Sequence, residues 1–501
     1  MKEKGQIKSG AIITYISTIC NNMIAIVITP IILSLVGKAE YGLYSLVYSM
    51  MAYFSVLDFG FGNAMIRYIS KCKAENNDDK NVNSLFLILY SCIAIITLIL
   101  GVIAYFNLDI LFGETLTKTE LNKAGIMMII CILGTAISFP LSIFNSYVLA
   151  NEKFVFLKVV NLLRILFYPI VIIPLLLLGF KSITMITVYT LLNLFSHISY
   201  GIYAIKKLKM KLTLKIKNID FSIFKEIISY SFFIFLNIIV DTVFNNTDQV
   251  ILGAVSGTVA VSIYSVANQI KTANSSFSTA ISGLFLPKIT KLVTLNKKEE
   301  INKIFITVSK IQLYIMLLIL SGFFIFGKLF ITLWVGNDYI DAYYITLILI
   351  GFSIVPLTQN IGVSVLQAMN KHKFRSIMYI LIAVVNVVVS IPLARDYGGI
   401  GAALGSALAN VLGQFITMNI YYYKVAKLNI PLYWKNFTKI CLPVIIVSIL
   451  LMTKINTLSF NWITLGLSIC IYSIIYIIYI YIFHMDKEEK KILISLKKKR
   501  Q

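Results

Sequence analysis

The sequence predicts an all-α polytopic membrane protein of about 14 transmembrane helices, two six-helix lobes followed by two C-terminal helices. Three observations carry this. Of 501 residues, 58% are hydrophobic and only 13% charged, where a soluble chain carries about a quarter charged. Mean hydropathy is +0.85. Runs without charge, such as 9–37, 397–423 and 455–485, each exceed the ~20 residues that cross the hydrocarbon core.

Taken in order, the apolar runs place spans at 10–36, 41–69, 84–106, 124–148, 158–178, 183–205, 223–250, 259–286, 302–327, 341–368, 376–394, 400–423, 437–455 and 461–484. With the N-terminus on the cytoplasmic side, the inner segments hold 36 of the 45 Lys and Arg. The outer loops hold seven (Lys38, Lys118, Lys123, Lys181, Lys328, Arg395 and Lys454), leaving Lys271 and Lys310 inside spans. That bias puts both termini in the cytoplasm and the chain in the cytoplasmic membrane. It also accounts for the net charge of +23 without nucleic acid. The most basic inner segments, Lys206–Lys225 and Lys487–Arg500, suit anionic headgroups.

Other classes find little support. Six cysteines lie mostly inside apolar runs without metal-like spacing and read as buried thiols. Three histidines far apart in sequence give no metal motif, and no phosphate-binding G-x-x-x-x-G-K-[ST] loop occurs. The first apolar run is too long for a cleaved signal and lacks a cleavage site. No cofactor is expected.

A repeat appears at an offset of 220: Gly37 matches Gly257, Tyr44-Ser45 matches Tyr264-Ser265, and Ile69-Ser70-Lys71 matches Ile289-Thr290-Lys291. Six spans per unit make it a parallel repeat. The expected organisation is an N-lobe over 1–222, a C-lobe over 223–436, and two further spans with a basic tail over 437–501. The repeat is chemically unequal, because Asp241 faces Asn21 in the alignment and Lys271 faces Met51. Near the middle of the chain, Asn237, Asp241, Asn245 and Asp248 fall on one helical face. Asn268, Lys271, Ser275 and Ser282 form a second stripe. Ionisable groups in a span normally face a partner or a watery cavity, so the two stripes point to a lumen.

The segment Leu57-Asp58-Phe59-Gly60-Phe61-Gly62-Asn63, followed by Arg67-Tyr68, resembles the polysaccharide flippases of the Wzx type. These belong to the multidrug/oligosaccharidyl-lipid/polysaccharide exporter superfamily. Gly37-Lys38-Ala39-Glu40-Tyr41-Gly42-Leu43-Tyr44 is similar to that family's outer turn into span 2. Asp248-Gln249-Val250-Ile251-Leu252-Gly253, Ile263-Tyr264-Ser265-Val266-Ala267 and Pro287-Lys288-Ile289-Thr290-Lys291 resemble its second-lobe counterparts. The resemblance implies a transporter, not an enzyme. It would move undecaprenyl-pyrophosphate-linked oligosaccharide repeat units (O-antigen or capsule type) from inner to outer leaflet by alternating access. The drive would be an H+ or Na+ gradient or the membrane potential, and the partners membrane lipids, a polysaccharide polymerase and glycosyltransferases.

A pyrophosphate cargo needs fixed positive charge, which acts more strongly in a partly dry cavity. Lys271, far from either end of its span, is the first candidate, with pairing to Asp241 or Asp248 and snorkelling as its alternatives. Arg67, Arg164 and Arg375 sit near inner span ends, where bidentate phosphate contact and helix-end anchoring compete. Lys310 lies nearer the cytoplasmic face. Asn268, Asn360 and Gln367 offer amides to sugar hydroxyls, against the commoner use in interhelical bonding. Asp241 and Asp248 suit a coupling cation or proton. Asp58 serves either that role or the helix end.

The rivals within the fold are a multidrug/cation antiporter and a peptidoglycan-precursor (lipid II) flippase. A major facilitator would carry G-x-x-x-D-[RK]-x-G where 71–83 has none, and a membrane polymerase or ligase would need a large outer catalytic loop. The orientation has a direct check. Impermeant thiol reagents should label Cys72 from the cytoplasmic side only, and labelling from outside would invert the topology.

Overall fold

The structure, a computed structural model, describes residues 3–212, 221–455, 461–486 and 489–490. Outside them lie residues 213–220 of the basic segment Lys206–Lys225, and the tail Lys487–Arg500 apart from Glu489 and Lys490. Among the described residues the chain is helical, without a strand, and ten stretches are long and apolar enough to cross a membrane.

The first half runs α1 Glu3–Val36, α2 Lys38–Ser55, a 3-10 turn Val56–Asp58, α3 Phe61–Ala74, α4 Lys80–Phe106, α5 Leu108–Phe112, α6 Lys118–Ala150, α7 Phe154–Leu177, α8 Ser182–Lys206 and α9 Phe221–Val255. The second half runs α10 Gly257–Gly283, α11 Leu286–Thr294, α12 Lys298–Val335, α13 Asp341–Thr358, α14 Asn360–Ala368 and α15 His372–Asn410. A π-helical turn Val411–Met418 then leads to α16 Asn419–Lys424, α17 Ile430–Ile455 and α18 Trp462–Phe483. Expected spans 11 and 12 form one apolar stretch, 374–424, broken at Gly398 (φ 56). With the helices at 41–69, 183–205 and 259–286, the ten stretches accommodate about 14 spans.

Three expected spans are not single helices. Span 2 breaks at Phe59 (φ 52) and Gly60 (φ 76), two consecutive left-handed residues. Span 8 breaks between Gly283 and Leu286, and span 10 at Gln359. Hydropathy averaged over the length of a span is blind to such breaks, because the apolar residues on either side outweigh the few polar ones at the break, such as Asp58, Thr358, Gln359 and Asn360. The repeat survives in the backbone: Gly37 and its match Gly257 open their helices at φ 83 and 81, and α3 and α11 end at the matched residues Ala74 and Thr294.

The chain packs as two compact units, residues 1–265 with 394–398, and residues 266–393 with 399–501. In the first, α3, α4 and α6 close around Met65, Phe86, Tyr90, Phe139 and Ile143. Glu40 links three helices there, accepting from Lys123 of α6 and Ser182 of α8. Burial alone would raise this carboxyl, but the Lys123 and Ser182 donors outweigh it and hold it below its ordinary value. The second unit has one core of Ile289, Phe305, Ile361 and Tyr422 and another of Leu313, Met316, Val355 and Ile440. Cys131 and Cys441 are buried, as expected of these thiols, whereas Cys92 and Cys470 lie on exposed faces.

Gly60 is the position where the break in span 2 tolerates no side chain. A Cβ there would stand 2.7 Å from Ile234, on a backbone at φ +76. Gly60→Ala should therefore destabilise the protein by roughly 1–3 kcal/mol, read as a lowered thermal midpoint in detergent. An unchanged midpoint would mean the break is soft.

Candidate functional site

Asp58 closes the break it precedes. It accepts from the Tyr90 hydroxyl at 2.7 Å, and its carboxylate stands next to Gly62, in the first turn of α3. A carboxylate there faces the end of a helix where backbone N–H groups lack intrahelical partners. Of the two roles weighed for Asp58, this geometry describes the helix-end one. Nine residues on, Arg67 is exposed and stands 3.9 Å from Glu226 of α9, itself half exposed, a contact of little energetic weight.

Arg164 is placed differently from its expected position near a span end. The helix starts at Phe154 rather than at 158, so Arg164 lies ten residues in, roughly 15 Å from the start and ~20 Å from Leu177. Lys153 and Lys158 drew the sequence boundary inward. The guanidinium is held by neutral groups: it donates to Asn161 Oδ1 at 3.0 Å and Asn193 Oδ1 at 3.2 Å, with Tyr189's ring 5.9 Å away. Tyr189 packs edge-on against Tyr48 at 5.3 Å, their hydroxyls 3.4 Å apart. No carboxylate lies within ion-pair distance of Arg164 among the described residues. Asn161, Asn193, Tyr48 and Tyr189 were not singled out from sequence. Only Asn161, one helical turn away, left a signal there.

The polar stripe on α9 divides. Asp241 and Asn245 are exposed, with Asn245 Nδ2 donating to the Asp241 carbonyl at 2.8 Å. Asp248 is buried at 4% exposure and accepts from the Tyr264 hydroxyl. Its neighbours fasten the same end of α9 to α2, Thr247 to Tyr53 and Gln249 to Ser49.

The remaining candidates belong to the second unit. Lys271 and Asn268 are half-buried on α10, and the Ser275 hydroxyl of their stripe is spent on the Lys271 carbonyl at 3.0 Å. Lys310 on α12 is enclosed by the C-terminal segment, with Asp486 at 2.7 Å and Glu489 at 2.9 Å. One turn on, the Tyr314 hydroxyl donates to the His484 carbonyl at 3.0 Å. Two carboxylates thus answer the Lys310 charge, and contact with cargo would require this clamp to open. Asn360 joins α14 to α10, donating to Ser278 Oγ at 3.1 Å, while Gln312 Nε2 reaches the Ser278 carbonyl at 3.0 Å. That is interhelical bonding. Gln367 is exposed, on the same short helix. The Arg375 guanidinium sits over the Tyr379 ring at 4.3 Å.

Within the first unit, then, the arrangement offers a fixed cation beside tyrosines and amides, suited to an anion joined to a polar, hydroxylated body.

Known proteins give the chain its relatives. It is 22% identical over 397 residues to a putative O-antigen transporter of Escherichia coli, covering 77% of this chain and 89% of that one. A probable low-salt glycan biosynthesis flippase of Haloferax volcanii is 20% identical over 281 residues. That match covers 54% of this chain and spans 57% of the archaeal protein's length. Among solved structures, the lipid II flippase MurJ in an inward closed conformation superposes with a TM-score of 0.73 at 17% identity. It covers 95% of this chain and 98% of its own, which establishes a shared fold. The relatives are transporters and flippases, in keeping with a multi-pass membrane protein. The profile of the family described as "Polysaccharide biosynthesis protein" matches residues 7–293, more than half of the sequence, and the chain belongs to that family.

Proposed function

We propose that the protein is a flippase that carries an undecaprenyl-pyrophosphate-linked oligosaccharide repeat unit from the inner to the outer leaflet of the cytoplasmic membrane. A binding site would open alternately to the two faces. The observation that carries this reading is Arg164: a guanidinium deep in a helix, oriented by two amides and lacking a carboxylate within ion-pair distance among the described residues. A charge so placed costs about 2.5–3.5 kcal/mol on insertion scales. An anionic cargo offsets that cost each time it binds. Arginine presents two parallel donors to a phosphate where lysine presents a point charge. The neighbouring Tyr48 and Tyr189 rings and the Asn161 and Asn193 amides are groups that meet sugar faces and hydroxyls. Lys271, on α10, is a second candidate cation, and Asp241, exposed on α9, is the coupling group for H+ or Na+.

A lipid II cargo shares the pyrophosphate and the prenyl chain, so Arg164 serves either cargo. The glycan distinguishes them. In vesicles holding the purified protein, a fluorescent lipid-linked repeat unit should cross and lipid II should not. The reverse outcome would make this a peptidoglycan-precursor flippase.

Arg164→Gln removes a charge-assisted contact worth about 1.5–3 kcal/mol, so flux should fall roughly tenfold to a hundredfold. Arg164→Lys should fall less. Lys271→Ala should also lower surface polysaccharide at unchanged protein level, with Lys271→Arg milder. Wild-type flux from Arg164→Gln would remove the anion-binding role. Asp241→Asn should change the dependence of transport on pH or sodium, and superimposable profiles would exclude it as the coupling group.

A further inference from the structure

A cleft remains that the transport reading does not use. It lies where the end of α4, the short α5 and the first turns of α6 meet, encloses about 680 Å³, and is lined by Tyr105, Phe106, Asp109, Lys118, Asn122 and Ile126 among others. That volume is within the range of small-molecule sites. Asp109 and Lys118 carry opposite charges into this one space, yet no ion pair joins them to each other or to another described group. Two such charges left apart leave room for a ligand that bears both signs.

The surroundings say what kind. Helix α5 has a buried side, Leu108 at 6% and Phe112 at 1%, and an outward side with Ile110 at 79% and Leu111 at 51% exposed. Phe106 beside it is 74% exposed. An apolar outward face of this extent belongs in the bilayer interface rather than in water. The apolar stretches Lys80–Phe106 and Lys118–Ala150 end here, which sets the cleft at headgroup level. Lys118, Asn122 and Ile126 follow one another at four-residue spacing down one face of α6, so the wall changes from charged to amide to apolar with depth. The Tyr105 ring packs over Gly125, where a Cβ would stand 3.0 Å from it.

We propose that this cleft holds an amine-headed zwitterionic phospholipid, its phosphate on Lys118 and Asn122, its ammonium on Asp109, and an acyl chain along Ile126. An anionic phospholipid would satisfy Lys118 and leave its charge facing Asp109. A choline headgroup has no N–H to donate to that carboxylate, and the donated, charge-assisted bond is the stronger contact. The proposal is independent of the cargo and of the transport reading.

The test is lipid retention by the purified full-length protein. The chain is incorporated into nanodiscs of phosphatidylethanolamine, phosphatidylglycerol and phosphatidylcholine in equal parts, released, and analysed by native mass spectrometry. Phosphatidylethanolamine should be retained several-fold over the other two. Asp109→Asn and Lys118→Gln should each reduce it about tenfold, the loss of one charge-assisted bond. Glu114→Gln, an exposed carboxylate that does not line the cleft, should leave retention and thermal midpoint unchanged. Equal retention of the three headgroups, no retained lipid, or undiminished phosphatidylethanolamine on Asp109→Asn would each overturn the proposal.

Discussion

A charge inside an apolar helix bundle must be answered by something, because taking it from water costs several kcal/mol even after relaxation. Lys310 and Arg164 receive opposite answers. Lys310 is matched by Asp486 and Glu489 and backed by Tyr314, which leaves its neighbourhood locked. Arg164 is oriented by amide oxygens alone. Amides direct a guanidinium without cancelling it, so attraction for an anion is retained. On the proposed function this difference separates a structural cation from a binding one, and it is visible only in the partners, since both residues begin as single positive charges in apolar runs.

The second physical theme is the interrupted helix. At Phe59–Gly60 the chain takes two left-handed residues and starts α3 with the Asp58 carboxylate beside its first turn. The break thus has a carboxylate beside it, fixed by the Tyr90 hydroxyl that donates to it, where lipid would have no donors or acceptors to offer. At the other end of the chain, the π-helical turn Val411–Met418 meets the same need through side chains. Asn419 donates to the Gln414 carbonyl at 2.8 Å, and Gln359, at the break in span 10, donates to Asn419 at 2.8 Å. The breaks in spans 2 and 10 come supplied with polar side chains, Asp58 and Gln359.

Much of the fold was legible in the sequence. Apolar runs long enough to span a bilayer mark nearly every helix, and the register of 220 residues reappears in matched glycines and helix ends. The breaks were not legible by hydropathy, although Asp58-Phe59-Gly60 carried the signal of a carboxylate followed by a residue free to turn. The candidate site was legible as residue types and not as partnerships. Asp486 and Glu489 lie 176 and 179 positions beyond Lys310, a separation no local pattern encodes. Arg164 was recognised but set too near a span end, because the flanking lysines obscured the first helical turn. Asn193, on the following helix, becomes its partner only once α7 and α8 pack.

The clamp on Lys310 bears on how the protein can be handled. Its counter-charges come from the short stretch just after α18, so a truncation ahead of Asp486 would strip both carboxylates from an ammonium that is 10% exposed. Asp486 and Glu489 are thus integral to the second unit's packing, and a deletion that reaches them should loosen the grip on α12.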